Sequence, residues 1–498
     1  MSARARLRKS DLQSADLPDL QSLGVKPSGL SIDSRKVSKG EVFLAFPGDS
    51  SDGRRFIAQA IEAGACAVLW EKPGFEWDPA WRVPNLPVHG LREKAGEIAS
   101  RFYGNPSQHL WMVGVTGTNG KTSCSQWIAQ ALSRQGRRTA VIGTLGSGFT
   151  DALDPAQNTT PDPVSLQARL AGLREQGAVA VAMEVSSHGI EQGRVNGVKF
   201  DVALFTNLSR DHLDYHGSMA AYSAAKAKLF EWPQLKHAVL NLDDAFGAEL
   251  AQRIDRTRVN AIGYGIGKGE IAGHQLDLST RGLKLEIATP WGKGRVASAL
   301  LGGFNAYNLL GVLGVLLASG VGFDHAIAAL SELQPVPGRM QTVSLRDVPL
   351  VVVDYAHSPD ALEKALETLR LTLSMGARLH CVFGCGGDRD PGKRPLMGEI
   401  ATRLADRCVI TSDNPRSENP RAIIADILAG AHPNYHVEED RATAILYALQ
   451  NAAPEDVVLI AGKGHETYQE IGDRRLPFDD LEVAREVASR LQAGGQHV

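Results

Sequence analysis

At 498 residues, 43% of them apolar and 22% charged, the chain has ordinary globular proportions but is too long for one core, and about three domains are expected. Its net charge of −3 supplies no overall attraction to nucleic acid or to an anionic membrane, and no run approaches the roughly 18 uncharged apolar residues of a membrane span. Five scattered cysteines without a CxxC pair argue against a disulfide framework, and the basic start MSARARLRKS leads into no apolar signal segment, so a reducing, cytoplasmic setting is expected.

The pattern is α/β throughout. Residues 1–88 are expected to form a small mixed α/β module, with strands at 41–46 and 65–70 around a short amphipathic helix at 55–63; Pro79, Pro84 and Pro87 then suggest a linker. Over 89–337 strands and helices alternate: helix 91–103, strand 111–115, helix 121–135, strands 138–142, 178–185 and 201–206, helix 218–230 and strand 237–241. Such alternation predicts a mainly parallel sheet covered on both faces, with residues 260–300 a more antiparallel appendage. After Pro335-Val-Pro-Gly-Arg339, a Rossmann-like doubly wound domain over 338–498 is expected from apolar strands at 350–354, 379–383, 408–411 and 457–460.

The central domain's first strand runs into Gly117-Thr118-Asn119-Gly120-Lys121-Thr122. Gly117 and Gly120 permit positive φ, so that amide groups converge on phosphate oxygens; Lys121 adds a point charge, and the Thr122 hydroxyl suits Mg²⁺. A helix starting near Lys121 would aim its positive end at the same phosphates. Val115 stands where the usual P-loop carries a small residue, which makes the turn a variant of that motif. Glu184, at a neighbouring strand end, is either a second oxygen ligand for the cation on ATP or a solvated acid. In Thr206-Asn-Leu-Ser-Arg-Asp-His-Leu-Asp-Tyr-His216, His212 is a candidate metal ligand or a loop residue, while Lys226 by itself reads as a solvated helix lysine.

Each strand of the last domain ends in polar residues: Asp354-Tyr-Ala-His357, Gly384-Cys-Gly-Gly-Asp-Arg389, Ser412-Asp-Asn-Pro-Arg416 and Gly462-Lys-Gly-His-Glu466. Ligands of doubly wound sheets sit at such ends. Arg389, Asp413 and Arg416 suit an amino acid, since a guanidinium fork binds carboxylate and an Asp holds ammonium; an Asn-Pro turn braced by an ion pair is the other reading.

These motifs, taken together and in order, carry a resemblance. GTNGKT headed by Val115, Glu184-Val-Ser-Ser-His188, TNLSRDHLDYH, the Ala224-Ala-Lys226 helix, Gly302-Gly-Phe-Asn-Ala-Tyr-Asn308, Pro337-Gly-Arg-Met340, VDYAH at 353–357 and GKGHE at 462–466 closely resemble the Mur ligase family, with its three-domain layout, from about residue 31 to 480. Asp33-Ser-Arg35, Asp52-Gly-Arg54, Asn158-Thr-Thr160 and Asp413-Asn-Pro-Arg416 look like the members that add meso-diaminopimelate as third residue of the peptidoglycan stem peptide. Asn419 departs from the acid such relatives usually carry.

The resemblance implies an ATP-dependent ligase that joins UDP-N-acetylmuramoyl-L-alanyl-D-glutamate to meso-diaminopimelate through an acyl phosphate. It implies that Lys121 and the loop amides hold ATP, that Thr122 and Glu184 bind one Mg²⁺, and that His212 and Lys226 serve a second, Lys226 carrying a carbamate formed with CO₂. Arg339 would neutralise the transferred phosphate, and Asn305 with Asp354 would meet the adenosine. The muramoyl dipeptide would fall on Ile32, Ser34, Asn158, Thr159, Thr160, Ser186, Gln192 and Arg194, and diaminopimelate on Arg389, Asp413, Asn414, Pro415, Arg416, Gly462 and Glu466. A monomer is expected. Among competing readings, a lysine-adding sibling lacks the arginine at the Arg416 position, folylpolyglutamate synthetase lacks the N-terminal UDP-type module, and a nucleotide-gated binding protein with a decayed site need not retain Lys121, Glu184, His212 and Lys226.

Overall fold

The structure, a computed structural model, describes residues 17–49, 51–156 and 158–494. They fall into two compact units, one running to Glu270 and including Gly311–Gly322, the other made of Ile271–Leu310 and the residues from Phe323 onward.

The first unit opens with a four-stranded parallel sheet, β1 (Gly29–Ser31), β2 (Glu41–Ala45), β3 (Ala67–Glu71) and β4 (Asn85–Val88), in that order. Strand periodicity divides its apolar residues between two cores: Val42 and Leu44 pack with Leu91 and Ala95 of helix Leu91–Phe102, while Phe43 and Ala45 pack with Ile57 and Trp70. The expected helix at 55–63 is a 3₁₀ turn, Gly53–Phe56, followed by Ile57–Glu62. The expected linker is corrected, because β4 lies within it, with Pro87 opposite Trp70. Proline is tolerated there since β4 is an edge strand and needs no outward ladder bond.

A second sheet in the same unit contains β5 (Trp111–Thr116), β6 (Thr139–Gly143), β7 (Gly146–Phe149), β8 (Ala152–Asp154), β9 (Ala180–Glu184), β10 (Val202–Phe205), β11 (His237–Asn241) and β12 (Asn260–Ile266). Their order is β12-β11-β10-β5-β9-β6-β7-β8, antiparallel only where β6 meets β7 and β7 meets β8. Register sets Val115 opposite Glu184 and Thr116 opposite Phe205, so the polar ends of β5, β9 and β10 lie level. That is where an open parallel sheet binds ligands.

In the second unit β13 (Ile271–Ser279), β14 (Gly282–Thr289) and β15 (Gly292–Ser298) form an antiparallel meander. The remaining sheet has β16 (Gln341–Val343), β17 (Leu350–Asp354), β18 (Leu379–Phe383), β19 (Arg407–Ile410), β20 (Tyr435–Val437) and β21 (Val457–Ala461) in the order β16-β17-β21-β18-β19-β20, parallel apart from β16. A hairpin of β22 (Tyr468–Ile471) and β23 (Arg474–Pro477) precedes the helix Asp480–Gly494. Both faces of the parallel strands are buried: Val352, Phe383 and Leu459 pack under Leu362 and Met397, and Val351, Val382 and Ile460 pack over Ile445 and Ala484.

Candidate active site

β5 is apolar up to Thr116, where the backbone turns sharply. Gly117 has φ +149° and Gly120 φ +85°, and a Cβ on Gly117 would collide with the Thr206 hydroxyl, so the turn needs glycine there for conformation and for space. The end of β10 holds the loop, with Thr118 N donating to Asn207 O (2.8 Å) and Asn119 N to Asn207 Oδ1 (3.0 Å). Gly120 then starts helix Lys121–Arg134, as the sequence predicts. Lys121 Nζ donates to the carbonyls of Gly117 (2.9 Å) and Thr118 (2.8 Å), which keeps its charge over the turn.

Lys226 is not solvated. It is 1% exposed, donates to Gly117 O at 2.8 Å and lies 4.5 Å from the centre of the Tyr222 ring. Burial, reinforced by Lys121 and opposed by Asp211, pushes its amine well below the ordinary lysine value. Tyr222 in turn bonds the Thr118 hydroxyl at 3.2 Å, and its phenol is pushed up to about 12 by burial.

Glu184 is as buried as Lys226. Its Oε2 accepts from the hydroxyls of Thr122 and Thr144, both at 3.1 Å, and its Oε1 accepts from Thr144 N at 2.8 Å. A carboxylate and a hydroxyl joined at the mouth of a phosphate turn are the oxygen donors a hard cation takes. His212 sits on the following loop at φ +53°, its ring 4.8 Å from His188 and 6.1 Å from Tyr222, with Asp211 at 3.4 Å. Among the described residues no three His, Cys, Asp or Glu converge as a metal site, so a cation here would also draw on hydroxyl and substrate oxygens.

A string of hydrogen bonds leads away from Glu184. Thr144 meets Thr159 (3.0 Å); Thr160 donates to Glu184 O (2.9 Å) and pairs with Ser186 (3.1 Å). Arg194 donates to Thr160 O (2.9 Å) and Gln192 Oε1 (2.8 Å), while Gln192 reaches Asp49 (2.7 Å). Burial lowers the Arg194 guanidinium below its usual value. Asn158 is exposed at the head of this stretch. Ile32 and Ser34 do not join the string: Ser34 donates to Gln59 (2.9 Å), and Ile32 packs against the first sheet's core. Thr144, Asn207 and Tyr222 escaped the sequence reading. Only the position of Thr144 one residue beyond a strand end could have signalled its part.

The second unit gathers the other candidates. Asp413 is buried and raised by burial, against the pull of Arg441 and Lys463. Gly462, at φ +117°, gives it room, since a Cβ there would approach Asp413 Oδ2 to 2.5 Å. Asn414 donates to Glu466 Oε2 (2.7 Å), and the fully buried Lys463 bonds both Asn414 (3.1 Å) and Glu466 (3.3 Å). Pro415 O closely faces Gly387, which has no Cβ to obstruct it, and Arg416 donates to Gly387 O at 2.8 Å. A Cβ on Gly386 would lie 3.0 Å from Arg416 Nη1 and 3.8 Å from Arg389 Cγ, so both arginines flank that glycine. Behind them Arg441 and Asp480, both fully buried, pair at 2.7 Å, and Arg441 also donates to Ala461 O (3.0 Å) and Ser412 O (3.4 Å), tying together the ends of β19 and β21. Asn419 caps helix Pro420–Leu428 through Arg421 N at 2.9 Å.

Asn305, Arg339 and Asp354 also belong to this unit. Asn305 bonds Leu301 O (2.8 Å) and Asn308 (3.0 Å); Asp354 accepts from Met340 N (2.8 Å), and burial raises its carboxyl against the pull of Arg339. Arg339 lies 5.0 Å from the centre of the Tyr355 ring, and its Nε is buried without a partner. Beside it the ring of His465, also with a buried unpartnered nitrogen, is pushed down to about 4 by burial and then by Arg339, His357 and Lys463.

Comparison with known proteins matches three family models along the chain: "Mur ligase family, catalytic domain" over residues 26–103, "Mur ligase middle domain" over 115–316 and "Mur ligase, glutamate ligase domain" over 338–464. A UDP-N-acetylmuramoyl-L-alanyl-D-glutamate–2,6-diaminopimelate ligase of Chromobacterium violaceum is 54% identical over 94% of this chain and 97% of its own. One of the same name from Nitrosomonas europaea is 51% identical over 95% of both. A solved structure of a ligase so named is 39% identical, with a TM-score of 0.70 over 94% of this chain and 95% of that one. With its phosphate turn, its two strand-end clusters and relatives matching over nearly its whole length, the chain belongs to the Mur ligase family.

Proposed function

We propose that this protein uses ATP to join UDP-N-acetylmuramoyl-L-alanyl-D-glutamate to meso-diaminopimelate. The observation that carries the substrate choice is the cluster of Asp413, Glu466 and Arg416, two acids and a guanidinium, which suits an amino acid bearing an extra carboxylate. Lysine would leave that guanidinium unmatched, which speaks against a lysine-adding enzyme. Relatives carrying the corresponding name support the same reading.

A carboxylate does not react with an amine unaided, because oxide is a hopeless leaving group. In the proposed sequence the D-glutamyl γ-carboxylate attacks the γ-phosphorus of ATP and displaces ADP, the neutral amine adds to the acyl phosphate, and the tetrahedral intermediate, having lost the amine's proton, expels phosphate. Residues 1–88 with Ile32 and Ser34 would hold the UDP end, 89–337 the nucleotide and 338–498 the amino acid. The turn of Gly117, Thr118, Asn119 and Gly120, its Thr118 and Asn119 amides tied to Asn207, presents its remaining amides and the Lys121 ammonium to the phosphates, and Arg339 neutralises the transferred group. Asn305 and Asp354 serve the adenosine, and Asn158, Thr159, Thr160, Ser186, Gln192 and Arg194 orient the dipeptide. Arg389, Asn414, Pro415 and Gly462 complete the amino-acid cradle. Two Mg²⁺ ions, one on Thr122 and Glu184 and one on His212 and a CO₂-derived carbamate of Lys226, would lower the repulsion between carboxylate and phosphate. A buried amine whose one hydrogen bond among the described residues goes to a carbonyl suits that modification, which gives it the oxygens an ammonium lacks for holding a cation. The enzyme works as a cytoplasmic monomer in this reading; among the described residues no helix is long and apolar enough to cross a membrane.

Phosphate release should require both the UDP-dipeptide and diaminopimelate. Release with either one missing, or none with both present, would refute the assignment. Bicarbonate should restore activity to CO₂-depleted enzyme, whereas equal turnover without CO₂ would remove the carbamate.

A further inference from the structure

The amino-acid cradle is braced from outside its own motifs, by the β22–β23 hairpin. Arg416 joins that hairpin through both backbone groups: its N–H donates to Glu470 O (3.0 Å), and Gly472 N donates to Arg416 O (2.8 Å). These bonds fix Arg416 at φ +50°, a left-handed conformation unusual for a residue with a side chain. Glu470 then takes hold of the side chain, Oε2 accepting the Arg416 Nε–H at 3.0 Å. Its other oxygen is occupied by Arg475, at 2.9 Å from Nε and 2.8 Å from Nη2. Glu470 N also donates to Asn414 Oδ1 at 2.9 Å, tying the hairpin to a second cradle residue.

The consequence lies in which edge of the guanidinium is taken. Glu470 occupies the Nε side, Gly387 O accepts one Nη1 hydrogen at 2.8 Å, and among the described residues no acceptor reaches Nη2. A guanidinium grips a carboxylate side by side through two N–H groups, and the hydrogens Glu470 and Gly387 leave for that lie on Nη1 and Nη2. Two arginines against one glutamate also leave one positive charge for a ligand. Burial works to raise the Glu470 carboxyl, but Arg475 and Arg416 outweigh it and hold the group below its ordinary value.

We infer that Glu470 is a specificity-determining positioning residue: by holding the Nε edge of Arg416 it commits the opposite edge to the distal carboxylate of diaminopimelate. This rests on the function proposed above. Glu470 touches no substrate in this role and acts through Arg416 alone. An amino acid without the distal carboxylate gains nothing from it, so Glu470 separates diaminopimelate from lysine and leaves ATP binding untouched.

Steady-state kinetics of the full chain with ATP, the UDP-dipeptide and either meso-diaminopimelate or lysine test this in the Glu470→Ala and Glu470→Gln variants. Glu470→Ala should raise the diaminopimelate KM about tenfold, and Glu470→Gln, which keeps an oxygen for the Nε–H, only about threefold. In both, kcat and the KM values for ATP and the UDP-dipeptide should stay within about twofold of the parent, and preference for diaminopimelate over lysine should fall in step with the KM. An unchanged diaminopimelate KM in both variants would overturn the inference. So would parallel losses toward ATP and the UDP-dipeptide, the mark of a merely structural side chain. A parent enzyme that joins no diaminopimelate would overturn the function itself, whereas an active parent with indifferent variants would remove only Glu470.

Discussion

The phosphate turn and the amino-acid cradle both sit at the carboxyl ends of parallel strands, yet they are built from different material. Around the turn, main-chain groups do the holding: Gly117 O receives both Lys121 and Lys226, and Asn207 fixes the loop amides. In the cradle, charged side chains hold one another, Arg416 by Glu470 and Arg441 by Asp480. A site held through main-chain groups tolerates little change in the glycine turn that presents them, even though Asn207 and Lys226 reach it from 88 and 109 residues away. A site made of ion pairs depends on partners far along the chain, and each pair must be complete to be stable.

That contrast is open to attack, beginning where the largest effect is expected. Lys121→Ala should lower kcat/KM by about a thousandfold or more with little change in melting temperature, since the turn keeps its glycines and its Asn207 bonds. A loss under about tenfold would mean that backbone alone suffices. Arg441→Met should instead act through stability, costing about 3 kcal/mol by stranding buried Asp480, as read by urea unfolding. An unperturbed unfolding midpoint would show that the cradle does not need its ion pairs. Arg416→Ala should raise the diaminopimelate KM about a hundredfold and leave the ATP KM alone; an unchanged amino-acid KM would take Arg416 out of the site.

The smallest effect concerns pH. His465 stays neutral down to about 4, whereas in the unfolded chain it takes its proton near the ordinary value of 6.5. Between those values the unfolded state binds more protons, so stability should fall as pH drops through that window and be flat above it. About 2 kcal/mol is expected from this one ring, allowing for its partial exposure. Unfolding measured at pH 7 and at pH 4.5 should show a smaller difference in His465→Gln, and equal differences would absolve His465.

Legibility in the sequence cut across this division. GTNGKT was readable because a strand, two glycines and a Lys-Thr pair are contiguous, and the four polar strand endings of the last domain were readable because apolar strand runs stop abruptly before them. Glu470 and Asp480 were not, since their partners lie 54 and 39 residues away and nothing local marks them; Thr144, 40 residues from Glu184, is marked only by its place just past a strand end. Lys226 carries no visible sign of burial in a small-residue helix, and its setting required the fold. Pro87 misled in the opposite direction, because a proline that reads as a linker is equally at home on an edge strand. Ser34 and Ile32 rest on the resemblance alone, and their contacts in this structure stay within the first sheet's module.

Asp480 opens the terminal helix, and through Arg441 it reaches the carbonyls of Ser412 and Ala461. In the proposed function this helix is therefore a tether for substrate recognition. A clip removing this helix would strand the buried Arg441 guanidinium and, in the proposed function, disable amino-acid capture with the phosphate turn intact. A product truncated before that helix would still carry the phosphate turn while being unable, in the proposed function, to finish the reaction.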